Sequence, residues 1–158
     1  AIEGETPRLS RIMTDMTDLT INVPVLKTHN VSGVTAAMKN IYGIIDIPGR
    51  YHKPKLQKAL PALYALPAVR NSLVLTITDA LIGIVTGDTD SGTDISPRRI
   101  LLAQDPVAMD NYALALVNQL RAGLTPSKGP VDTSVLGWID LAHQMGLGTK
   151  NYALVKAR

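Results

Sequence analysis

Within the stretch "PVLKTHNVSGVTAAMKNIYG" (24–43) lie Lys27, Thr28, His29, Ser32, Thr35, Lys39 and Asn40, and His52 follows shortly after. A lysine amine can form covalent adducts, and an imidazole can bind a metal or move a proton near neutral pH. His29, Lys39 and His52 are therefore the candidate catalytic groups. Lys27, Thr28, Ser32, Thr35 and Asn40 are candidates for holding an anion or a cofactor. Read as a helix from Ser32, the stretch places Ser32, Thr35, Lys39 and Tyr42 on one face by i, i+3/i+4 spacing. Lys27, Thr28 and His29 then fall just before the helix start, where free N–H groups and the dipole favour a carboxylate or phosphate. A solvent-facing helix with a capping Ser would produce the same spacing. The residue types permit a metal without assigning one.

The acidic residues add two candidates. Asp79 closes an apolar strand-like run, at the edge where parallel α/β sheets place ligands. Asp110 lies in the second turn of a nearly all-apolar helix, where it either stabilises the helix start or points into a site. Asp88, Asp90 and Asp94 sit in a Gly-rich loop. Their spacing lacks the Glu and central Gly of an EF-hand, and turn chemistry alone favours Asp and Gly there. His143 falls in a last helical turn, where a cation is favoured anyway. No G-x-G-x-x-G, no G-K-[ST] and no G-x-S-x-G occurs.

These side chains need elements to position them. Residues 19–26 read as a strand, with Pro24 marking an end or edge, and 32–43 as a short helix stopped by Gly43. Residues 56–70 are helical in composition but broken at Pro61 and Pro67. The run 72–81 is the clearest strand, 82–97 a loop over a pocket rim, and 98–104 another strand. Asp105 as N-cap, Pro106 at N1 and Gly123 as stop frame the best helix. A further helix starts at Thr133 or Ser134 and ends at Gly146, and "YALVKA" (152–157) reads as a last strand. The alternation predicts an α/β layered domain with a mostly parallel sheet of about four strands. Four strands make a thin sheet, so the domain is expected to be part of a larger α/β unit.

The chain of 158 residues is a single domain's length. Its 46% apolar and 18% charged residues are a soluble globular composition. The net charge of +3 is scattered except at "RYHKPKLQK" (50–58), which fits a small anionic partner and argues against nucleic acid. Cysteine is absent, so the chain holds no disulfide and no cysteine-ligated iron-sulfur cluster. The compartment stays open between cytoplasmic and exported. No run of apolar residues is long enough for a membrane span.

"NVPVLKTHNVSGVTAAMKNIYGI", "ITDALIGIVTG", "ILLAQDPVAMDNYAL" and "AHQMGLG" occur in the order found in the family called domain of unknown function 362. The chain resembles that family over roughly residues 18 to 148. Pro24, Lys27, Thr28, His29, Gly33, Thr35, Lys39, Asn40 and Gly43 carry the first block. Asp79 and Gly83 carry the second, and Asp105, Pro106, Val107 and Asp110 the third. "GIVTGDTDSG" departs from the family's Gly-Pro version of that loop. The resemblance implies an α/β domain that in some members is joined to an iron-sulfur domain elsewhere in the full-length protein, in proteins that are sometimes exported, and it implies a preceding α/β stretch. This chain would then be the C-terminal portion. A fainter similarity reaches the N-terminal domain of the nickel-dependent lactate racemase family, with its His, then G-[FY]-S-G-G-x-K. Here "HNVSGVTAAMK" sets Lys39 ten residues after His29, with Ala36 and Ala37 for two glycines and His52 beyond. In that family the Lys anchors a nickel-pincer nucleotide and the histidines serve metal and proton transfer.

Two functions stay open. One is an enzyme domain binding a small anionic substrate or phosphate-bearing cofactor in a Lys/His pocket. It predicts that His29 and Lys39 face one cavity. The other is a non-catalytic accessory domain of an iron-sulfur electron-transfer protein, which predicts a flat docking patch. Strands 19–26 and 73–79 lack the alternation of a water-facing strand. The chain is therefore expected to form a homo-oligomer through a sheet edge or to require its preceding segment.

Overall fold

A computed structural model describes residues 2, 4, 6–52, 54–87, 94–124 and 129–156. Its spine is the strand Leu73–Ile84 (β4), rich in β-branched and apolar residues. Thr20–Asn22 (β1) and Val25–His29 (β2) run parallel to it along one edge, from Thr20 opposite Leu73 to Lys27 opposite Ile84. Gly33–Thr35 (β3) folds back antiparallel on β2. Asp94–Ile95 (β5) and Arg99–Ala103 (β6) pair antiparallel with β4. The expected strand 19–26 is thus split at Pro24. Proline has no N–H for the ladder, but its carbonyl still accepts from the Asp79 N–H at 2.8 Å.

One face of this sheet carries the helices Met38–Ile41 (α1), Leu56–Tyr64 (α2), Pro106–Leu124 (α4) and Gly137–Gln144 (α5), with Pro67–Arg70 (α3) leading into β4. Leu26, Val34 and Ala80 meet Met38, Leu60, Val107, Val117 and Trp138 in the core between the layers. The layered α/β architecture expected from the sequence is present. On the opposite face the register sets Ile21 against Leu75, Val25 against Asp79, and Ile100 and Leu102 against Asp79 and Ile77. Ile21, Val25, Ile100 and Leu102 remain 47–65% exposed, so apolar sheet surface faces solvent.

Several local expectations change. Residues 32–37 are not helical: Val34 and Thr35 pair across to Thr28 and Lys27, and the helix is confined to Met38–Ile41 before a 3₁₀ turn at Tyr42–Ile44. Lys27, Thr28 and His29 therefore lie in a hairpin strand and not before a helix start. Asp79 sits inside β4, which continues five residues beyond it, and so does not mark a strand end. Helix α2 runs through Pro61. Helix α5 begins at Gly137 after a 3₁₀ turn at Thr133–Val135, whose cap is Asp132, accepting from the Ser134 N–H. Residues 152–156 form no strand, and residue 157 lies outside the described residues. Asp88 and Asp90 lie outside the described residues, and Asp94 opens β5. By contrast, α4 starts as expected. Pro106 is its first residue, and Asp105 Oδ1 accepts from the Ala108 N–H at 2.9 Å. Gly146, at φ 69°, follows the end of α5.

Gly33 decides the hairpin. It has φ 76°, and a Cβ there would come 2.6 Å from Leu136 and 2.9 Å from Val131. A side chain meets both backbone strain and a packed wall. Gly33→Ala is expected to destabilise the fold by roughly 1–3 kcal/mol. Urea melts of the two proteins would show it, and equal midpoints would refute the assignment.

Candidate functional site

Strand alternation puts Lys27 and His29 on one side of β2, and the turn after β3 delivers Lys39 on α1. The 3₁₀ turn Pro48–Tyr51 ends at His52. The Lys39 amine lies 3.4 Å from His52 Nε2 and 4.2 Å from the centre of the Tyr42 ring. The Tyr42 ring stacks on His52 with an interplanar angle of 7°, and the His29 ring meets His52 edge-on at 6.1 Å. The three expected catalytic residues are thus brought together. Tyr42 joins them, its i, i+3 spacing from Lys39 surviving across the helix–3₁₀ junction.

Burial and then the nearby Lys27 charge pull the Lys39 amine down from 10.5 to about 8. Burial, followed by the Lys39 charge, also lowers His52. An ammonium can only donate, so His52 accepts through Nε2 and is neutral in this contact. Burial pushes the Tyr42 phenol up, and its hydroxyl is buried without a hydrogen-bond partner among the described residues.

The remaining candidates separate into two groups. Asn40 donates to Asn22 Oδ1 at 2.7 Å, and Asn22 donates to the Ala37 carbonyl at 2.9 Å. Asn22 carries no signal in the sequence beyond its polarity within an apolar strand. Asp110 is fully buried on α4, and its two oxygens accept from the Ala37 and Met38 N–H groups at 2.7 and 2.9 Å. The anion expected at the helix start is therefore the protein's own carboxylate. Thr28 donates to the Gly87 carbonyl at 2.6 Å, tying β2 to the chain after β4. Ser32 donates to the Val34 carbonyl, and the Ser32 carbonyl accepts from the Trp138 indole. Thr35 is buried, its hydroxyl without a partner among the described residues. Asp79 accepts from the Leu81 N–H on the face away from the helices. Ser32, Thr35 and Asp79 thus do not join the Lys39 cluster.

A cavity of about 540 Å³ adjoins the cluster at His29. Thr28, Gln57, Gly87, Arg121 and Asp132 also line it, whereas Lys39 and His52 do not. His29 alone belongs to both, so His29 and Lys39 do not share this cavity, contrary to the expectation from the sequence.

A nickel ion held by both imidazoles does not fit this arrangement. His29 Nδ1 already accepts the Val31 N–H at 3.0 Å, which leaves the ring proton on Nε2, and His52 Nε2 faces the Lys39 amine. No group of three or more metal-ligating side chains occurs among the described residues. Ala36 and Ala37 are fully buried where a glycine cradle would need open backbone, and the Ala37 N–H is occupied by Asp110.

The family model for the domain of unknown function DUF362 matches residues 6–115. The chain belongs to the DUF362 family. The match takes in β1 to the first half of α4, and so every residue of the Lys39 cluster and Asp110. Among curated proteins and among solved structures, none matches this DUF362 chain. No described helix is long and apolar enough to cross a membrane.

The buried carboxyl has a measurable signature. Burial raises Asp110 from 3.8 to about 7, and the two N–H donors pull it down only in part. Between about pH 4 and 7 the folded chain then binds more protons at this group than the unfolded chain. Its contribution to stability is therefore largest at low pH and is lost as pH rises through that window. Asp110→Asn should remove this slope from urea melts taken across the window. It should also lower stability by about 1–3 kcal/mol, because one backbone N–H loses its acceptor. An unchanged slope would count against it.

Proposed function

We propose that this chain is an enzyme domain that binds a small anionic substrate or a phosphate-bearing cofactor beside Lys39. One observation carries the reading. The Lys39 amine is half-buried against His52 and Tyr42 with Lys27 nearby, and neither lysine has an acidic partner among the described residues. Buried charge without a counter-charge costs stability, and such sites are where ligands or reactions supply the missing partner. An arriving carboxylate or phosphate would neutralise the pair of lysines. His52, neutral and in reach of the amine, would take or return a proton during chemistry. The amine lies on a short helix whose start is pinned by Asp110 and Asn22, so it is held in place before the ligand arrives.

Thermal melts in phosphate, sulfate and chloride at matched ionic strength test this. A bound anion should stabilise the fold by about 2.7 kcal/mol at a hundredfold excess over Kd. Lys39→Ala should lose that gain. Identical anion dependence in the two proteins would remove the site.

The exposed sheet face favours a second reading, in which the domain docks on an iron-sulfur protein or on another copy of itself. Ile100 and Leu102, on β6 beside the central strand, are 55% and 65% exposed. Patches of this kind mark association surfaces. Sedimentation should then show concentration-dependent association that Leu102→Lys abolishes without lowering the melting temperature. A wild-type monomer at high concentration would exclude self-association.

A further inference from the structure

We propose that Lys39 forms a Schiff base with a small carbonyl compound that also carries a carboxylate or phosphate group. This rests on the anion-site reading above and adds the reaction class. Three features of the geometry separate Lys39 from an ordinary surface lysine. The Tyr42 ring lies under its amine at 4.2 Å and the His52 ring, stacked on that same Tyr42, ends 3.4 Å away, so the amine has a defined seat. Lys27 places a second positive charge near enough to depress the amine, which suits a substrate with an anionic group next to its carbonyl. No acidic side chain among the described residues pins the amine as an ion pair, whereas Lys150, for comparison, is held by Asp140. With its pKa near 8, the amine is available as a free nucleophile at mildly alkaline pH.

The steps balance without a further reagent. Lys39 gives one proton to His52 and its nitrogen lone pair attacks the carbonyl carbon. The new C–N bond forms as the carbonyl π pair moves to oxygen, which takes a proton back from the His52 imidazolium. The carbinolamine nitrogen, which still carries two protons, passes one by way of His52 to the hydroxyl, which leaves as water while the freed nitrogen pair closes the C=N bond. Overall one ammonium and one carbonyl give one protonated imine and one water. Nothing is oxidised or reduced. The His29 ring, edge-on to His52, limits the freedom of the imidazole that shuttles the proton.

Reductive trapping tests the proposal with the intact chain. Glyoxylate and cyanoborohydride would be added near pH 8, and labelled lysines located by peptide mass spectrometry. Binding of oxalate, an anion of similar size with no reactive carbonyl, would be measured alongside by calorimetry. The expected result is carboxymethylation of Lys39 at least about tenfold faster than of the exposed lysines, since a lowered pKa raises the free-amine fraction. His52→Gln should slow the trapping, and Lys39→Arg should abolish it. Oxalate binding with labelling spread evenly over the lysines would overturn the Schiff base and leave the anion site standing. Absence of binding for both compounds would overturn both.

Discussion

The carboxylate of Asp110 is the contact on which the rest of this structure turns. It reaches from the second turn of α4 to the backbone of Ala37 and Met38, 73 and 72 residues away in sequence. Asn22 of β1 takes the Ala37 carbonyl from the other side, and Asn40 closes back onto Asn22. Backbone 37–40 is thus gripped by a helix and a strand from different parts of the chain. In a low-dielectric interior such a network is strong when complete and costly when broken. Lys39 lies in the middle of it, and its side chain leaves toward Tyr42 and His52. The Asp110 carboxyl and the Lys39 amine thus flank one short stretch of backbone.

This also explains what could and could not be read from the sequence. Helix α4 was legible because its start is local: Asp105, Pro106 and Ala108 interact within four residues. Strands β4 and β6 were legible from their β-branched and apolar runs. The misreading of 32–37 has a physical cause. Val34, Ala37, Met38 and Ile41 recur at helical spacing, but Val34 and Thr35 pair with β2 once Gly33 turns the chain at positive φ. Long-range pairing overrode local periodicity.

The site divides along the same line. That His29, Lys39 and His52 converge was legible from residue type, since polar chemistry concentrated beside apolar runs has few places to go. The partners of Asp110 were not legible, because a contact over 73 residues leaves no local pattern. Nor was the separation of Ser32 and Thr35 from Lys39, which follows from strand geometry sending them into the protein. Ser32, Thr35 and Thr28 are buried polar groups at the seams between hairpin, helices and sheet. The Thr35 hydroxyl has no partner among the described residues.

Trp138 is the chain's single tryptophan, fully buried on α5 with its indole N–H bonded to the Ser32 carbonyl at 2.9 Å. The hairpin that carries Lys27 and His29 is therefore fastened to the one strong fluorophore in the molecule. Emission from this protein is not an average over several environments. Its wavelength and quenching report on a single junction, that between the β2–β3 turn and α5. Any movement of the hairpin against α5 changes the surroundings of that indole, so the molecule carries its own optical gauge at this junction.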